Sequence, residues 1–204
     1  MFNRFSSIKN IKSNPERGQL DLHDVLKNSY SNKHRENMNG YKLDKQLSNH
    51  NQQVYYNPDH KKLVVSVAGT HNLRDWGTDI FLGAGKLKDT NRYKEAKSVY
   101  DKAKSKYNPM QSMAVGHSLG GTIANYIASG NDKAYGLDSG YTIGQTSRNN
   151  SKQFRSEGDV ISALGANQKN MTTLKSPHIR SGIGLVDALR SHNVSNIGGS
   201  GIKI

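Results

Sequence analysis

The chain has 204 residues, enough for one domain with a packed core but cramped for two. It has no cysteine, which excludes disulfides, thiol nucleophiles and thiolate metal sites, and it has no apolar run of the roughly 18 residues that a membrane-spanning helix needs. Its 29 Lys+Arg against 16 Asp+Glu give a formal charge of +13, with a hydrophobic content of only 33%. Such a surface attracts anionic lipid headgroups, nucleic acid or acidic proteins. The lysines are scattered through "YKLDKQ", "HKKLVV" and "YKEAKSVYDKAKSKY", the pattern of a solvated face rather than a nucleic-acid block. Neither a zinc-finger spacing nor an aromatic RNA-binding signature is present.

Residues 1–18 read as a basic, flexible arm. The opening "MFNRFSSIKNIKSN" has no continuous apolar region and no small-residue cleavage site, so it is not a signal peptide and the protein is expected to be soluble. Residues 19–46 read as helical from "LDLHDVL", with a break near Gly40. In "QQVYYNPDHKKLVVSVAGT" two β-rich runs flank "NPDH", whose Asn-Pro-Asp chemistry suits a turn. This predicts a hairpin with a buried strand over Leu63–Val67. "LRDWGTDIFLGAGK" reads as a loop. Over 90–106, Tyr93, Ala96, Val99, Tyr100 and Ala103 fall on one helical face, and "NPM" stops that helix. "QSMAVG" is a short buried strand, and "GGTIANYIASG" a helix ended by Gly130. "DKAYGLDSG" and "KQFRSEGD" read as two further strand ends. The remainder is loop-rich, and 198–204 reads as a flexible tail. Strands alternating with helices predict an α/β domain over 19–197 with a mostly parallel sheet, in which ligands bind beyond the carboxyl ends of the strands.

Ser118 lies just past one such end, between Gly116 and Gly120. A serine hydroxyl needs a base within reach and donors for the negative charge on the attacked carbonyl. A sharp strand-to-helix turn lifts the hydroxyl clear and aims the first helical amides at that charge, and glycines let the backbones pass. Chain order for such sites is serine, acid, histidine. The downstream acids are Asp132, Asp138, Glu157, Asp159 and Asp187, and the downstream histidines are His178 and His192. Asp159 directly follows a strand end, where it can accept from an imidazole, with Asp138 as its rival; chain order alone leaves both His192 and His178 open. His117, inside the turn, reads as packing, and His23, His34, His50 and His60 as surface residues. No histidine pair has metal-ligand spacing, so neither a metal nor a cofactor is expected.

"VGHSLGGTIANYIA" together with "LVVSVAGTHNLRDWGTDI" resembles the class 3, fungal-type lipase family over roughly residues 20–195. The resemblance implies an α/β-hydrolase fold and cleavage of carboxylic esters, lipid or other acyl esters, by a triad of Ser118, Asp159 and His192, the last in "LRSHNVSNI" resembling the family's late loop histidine; the charge of +13 would help docking on an anionic membrane surface. The resemblance also implies an oxyanion hole formed by the backbone N–H groups of Thr70 and Leu119. The segment after Thr70 would be a lid or substrate contact through His71, Trp76 and Phe81. Two departures stand out: Val160 follows Asp159 where the family has proline, and Ala68 stands where it often has arginine. The competing class is a lipid- or nucleic-acid-binding protein on a hydrolase fold.

Overall fold

One sheet of eight strands, hydrogen-bonded in the order β1 to β8, forms the frame of the computed structural model, which describes residues 18–70, 86–140, 148–159, 162–165, 170–174, 192–194 and 201–204. The strands are β1 (Asn37–Met38), β2 (Tyr41–Leu43), β3 (Gln52–Asn57), β4 (Lys62–Val67), β5 (Gln111–His117), β6 (Lys133–Leu137), β7 (Ser151–Ser156) and β8 (Met171–Leu174). β1 to β4 pair antiparallel, and β4 to β8 pair parallel. Among the described residues three α-helices pack on it: α1 (Leu22–Ser29), α2 (Asn91–Tyr107) and α3 (Leu119–Ile127). None of the described helices is long and apolar enough to cross a membrane.

The period-two alternation of the strands divides the core. Val64, Met113, Val115, Tyr135 and Leu137 point toward α1, where they meet Val25 and Leu26. Their neighbours Leu63, Val65, Ala114 and Ala134 point the other way, under Ala96, Tyr100 and Ala103 of α2 and Ile123 and Ile127 of α3. Both helices on that side lie in crossovers between parallel strands, β4 to β5 and β5 to β6. Thr90 caps α2 by accepting from the Tyr93 N–H at 3.2 Å, and Asn108 ends it in a left-handed conformation at φ 40°.

Three expectations change. The helix read over 19–46 ends at Ser29, and a hairpin of β1 and β2 follows, turning on Asn39 and Gly40, both at positive φ. An Asn-Gly pair is the favoured two-residue hairpin turn, so Gly40 marks a reversal rather than a break in a helix. β8 occupies a stretch read as loop; its middle residues Thr172 and Thr173 are exposed, as on an edge strand with no apolar alternation to betray it. The last residues of the expected tail are docked rather than free. The Leu20 and Ile204 backbones exchange hydrogen bonds of 3.1 and 2.9 Å, Leu22 N–H donates to Ile202, and Ile204 is buried in the α1-side core. Of the expected N-terminal arm only Gly18 lies within the described residues; it is buried, and its carbonyl accepts from the Tyr41 hydroxyl.

Candidate active site

The parallel strands share a direction, so their carboxyl ends lie along one edge. Their register sets Val67 beside Gly116, His117 beside Leu137 and Leu137 beside Phe154. The segments leaving β4, β5, β6 and β7 therefore bring Gly69, Ser118, Asp138 and Asp159 to the same rim.

Ser118 sits between β5 and α3 at φ 58° and ψ −129°, a strained conformation for a residue with a side chain. Its N–H still donates to the Leu137 carbonyl of β6, while its own carbonyl accepts from the Gly121 and Thr122 N–H groups of α3. The flanking glycines are required by contact. A Cβ on Gly116 would lie 2.1 Å from the Gly120 carbonyl oxygen, and one on Gly120 would lie 2.1 Å from the Val67 carbonyl oxygen. Ser118 is buried, and its hydroxyl has no hydrogen-bond partner among the described residues. Because α3 starts at Leu119, that residue's N–H has no partner within the helix. The loop leaving β4 runs alongside: a Cβ on Gly69 would lie 3.0 Å from the Ser118 Cβ.

His192 and Asp159 form a buried pair, with Nδ1 2.8 Å from Oδ1. The other Asp159 oxygen accepts from the Ser162 N–H at 2.8 Å and from its hydroxyl at 2.5 Å. Burial alone would raise the Asp159 carboxyl, but the hydrogen bond and charge of His192 and the two bonds from Ser162 hold it below the usual range. An ionised Asp159 fixes the proton on His192 Nδ1 and makes Nε2 the ring's acceptor.

His117 does more than pack. A carbonyl can only accept, so the 2.8 Å contact from His117 Nε2 to the His192 carbonyl puts the ring proton on Nε2. His117 Nδ1 then accepts from the Tyr30 hydroxyl at 2.7 Å, and the Tyr30 oxygen accepts from the Gly69 N–H at 2.9 Å. Burial, with His192 alongside, pushes His117 down to about 3, so it stays neutral. This relay ties the β4 loop, α1 and the His192 backbone together. His23, expected at the surface, donates from Nε2 to the Val194 carbonyl at 2.7 Å and is a second anchor for that segment. Neither Tyr30 nor Ser162 is visible as a site residue in the sequence, because Tyr30 acts across a long separation and Ser162 opens a short 3-10 helix, Ser162–Gly165, that no pattern announces.

Asp138 reaches the same place. It is fully buried, and its carboxyl accepts from the Ser156 N–H and hydroxyl. Ligand atoms of His117, Asp138 and His192 lie within 4.8 Å of one another. Both His117 nitrogens are already engaged, to Tyr30 and to a carbonyl, so this cluster does not offer a metal its three donors. Thr70 is the residue after Gly69 and is half-buried. His71, Trp76, Phe81 and His178 lie outside the described residues.

The mixed sheet with helices packed on it is that of an α/β-hydrolase fold. More narrowly, the chain matches the family model of the Tle-like phospholipase domain over residues 21–201 and belongs to that phospholipase-like family. In fold it is similar to the Lip2 lipase of Yarrowia lipolytica, at 14% identity and a TM-score of 0.57 over 89% of this chain and 94% of that one. A triacylglycerol lipase from Penicillium expansum is more distant, at 16% identity and a TM-score of 0.47 over 76% of this chain and 78% of that one. No curated protein matches the sequence. The likeness to class 3 lipases drawn from the two sequence motifs is thus borne out in family and fold.

Proposed function

We propose that the protein hydrolyses carboxylic esters of lipids, phospholipids foremost, through an acyl-enzyme on Ser118. The observation that carries this is the strained Ser118 turn on the same sheet rim as the buried His192–Asp159 pair. His192 Nε2 takes the Ser118 proton as the oxygen attacks the ester carbonyl, and Asp159 stabilises the imidazolium that forms. The Ser118 hydroxyl makes no hydrogen bond among the described residues, and catalytic contacts of this kind commonly tighten only with substrate bound. The N–H groups of Leu119 and Thr70 hold the oxyanion. The Gly69 N–H is taken by Tyr30, which leaves Thr70 as the next amide of that turn, and Leu119 opens α3 with its helix dipole behind it. His192 then protonates the leaving alcohol, and water repeats the sequence to free the acid. The +13 charge favours docking on anionic lipid.

The test is Ser118→Ala. It is expected to abolish fatty-acid release from anionic phospholipid vesicles, turnover of short p-nitrophenyl esters and labelling by a fluorophosphonate, with the circular dichroism spectrum unchanged. Ester turnover equal to that of the parent would refute the nucleophile. A parent protein that binds vesicles but takes no fluorophosphonate label would favour the binding-protein alternative.

A further inference from the structure

The triad leaves Asp138 without a role, yet the chain goes to some lengths to put it where it is. It follows β6 directly and adopts φ 47°, a left-handed conformation that residues with side chains rarely take. Its N–H donates to the Phe154 carbonyl of β7 at 2.8 Å. Its carboxyl has no exposure, with Oδ1 2.5 Å from the Ser156 N–H nitrogen and Oδ2 2.8 Å from the Ser156 hydroxyl.

Ser162 stands between the two acids. Its oxygen lies 2.5 Å from Asp159 Oδ2 and 3.4 Å from Asp138 Oδ1. A hydroxyl has one hydrogen, and the nearer, charged Asp159 takes it. Two ionised carboxylates would then share a buried site. The described groups facing Asp138 are Asp159, the imidazoles of His192 and His117, and the hydroxyls of Ser156 and Ser162. The guanidinium of Arg155 on β7 is spent on the Asp159 backbone carbonyl at 3.1 Å. Among these groups no fixed cation compensates a second negative charge, so the neutral acid is favoured at Asp138. Burial first, and then the charge on Asp159, push its carboxyl up in agreement with this.

We propose that Asp138 is a second acid for His192, neutral while Asp159 carries the charge and able to ionise in its stead. Neutralising Asp159 removes the like charge that keeps Asp138 protonated; its proton then leaves to solvent, and its carboxylate lies within 4.8 Å of a His192 ring nitrogen. From there it stabilises the imidazolium formed when Ser118 gives up its proton. Asp138 is thus a positioning residue acting through His192, and its role rests on the esterase reading above.

The test compares ester turnover of the parent, Asp138→Asn, Asp159→Asn and the double variant between about pH 5 and 9. Asparagine mimics a neutral acid, so Asp138→Asn is expected to stay within about threefold of the parent near neutral pH. Asp159→Asn is expected to lose more but to keep at least about tenfold the kcat of the double variant, with KM unchanged. A smaller gap between those two overturns the proposal, as does an Asp138→Asn loss equal to that of Asp159→Asn at every pH. Infrared spectroscopy gives a readout that needs neither turnover nor the double variant. The carbonyl stretch of a protonated carboxyl, assigned by its absence in Asp138→Asn, is expected to titrate at lower pH in Asp159→Asn than in the parent. The same titration in both would overturn the acid pair. If the parent turns over no ester, the esterase reading fails, and the infrared titration still decides the pairing.

Discussion

Replacing Tyr30 with phenylalanine removes one oxygen and strands two buried groups. The Gly69 N–H loses its acceptor at 2.9 Å, and His117 Nδ1 loses its donor at 2.7 Å. Both residues are buried, His117 at 4% exposure. Each orphan costs about 1–3 kcal/mol, and partial relaxation of the loop puts the sum at about 2–4 kcal/mol. For a chain of this size about 1 kcal/mol moves the melting point by roughly 2–4 °C, so Tyr30→Phe is expected to melt roughly 5–15 °C lower. Urea unfolding followed by circular dichroism measures the loss directly, with the slope against urea reporting whether the same surface is exposed. Turnover should fall in kcat with KM held, because the freed Gly69 amide loosens the turn that carries Thr70. A stability loss under about 0.5 kcal/mol at unchanged slope would refute the bridge between α1, the β4 loop and His117.

Gly116→Ala drives a Cβ to 2.1 Å from a backbone oxygen of α3 and is expected to cost about 3–5 kcal/mol, whereas Gly130→Ala, with open space around it and only a φ of 56° to strain, should cost about 1–2 kcal/mol. Equal melting points for the two would refute the close-contact account of the elbow. Stability against pH should expose two opposed buried groups. Between its ordinary value of 3.8 and its folded value of about 7, Asp138 holds a proton in the native state that the denatured chain has released, so stability falls as pH rises. Between about 3 and 6.5 the denatured chain holds a proton that native His117 lacks, so stability falls as pH drops. The slopes, each up to about 1.4 kcal/mol per pH unit, oppose one another where the windows overlap. Asp138→Asn removes one of them. Urea midpoints for this variant should therefore decline on acidification below pH 6.5, where the parent stays nearly level. Parallel curves for parent and variant would count against both protonation assignments.

Local chemistry made much of this legible in sequence. The glycines at 116 and 120 announce a close backbone approach, and the contact distances confirm why no other residue fits. The Asn-Pro-Asp turn and the helical face of Ala96, Tyr100 and Ala103 depend on neighbours a few residues away, and both stand as read. What escaped depends on distance along the chain. Tyr30 looks like one more position in a helix until Gly69 and His117 arrive from β4 and β5. Asp138 and Asp159 compete in the sequence because each ends a strand, but adjacent parallel strands deliver both to one imidazole. Ile202 and Ile204 sit among glycines and read as tail, because their partners Leu20 and Leu22 lie at the opposite end of the sequence.

That last pairing bears on how the molecule is made. The Gly201 N–H donates to the Asp21 carboxylate across a sequence separation of 180 residues, beside the Leu20–Ile204 bonds. A ribosome extends residues 20–22 long before 202–204 exist, so during synthesis the α1 flank waits with its seam unstitched. Loop-closure entropy makes so distant a contact slow to gain. The seam lies next to His23, which holds the Val194 carbonyl, so this flank of α1 gains its partners from 194 and from 201–204 only after nearly two hundred residues separate them.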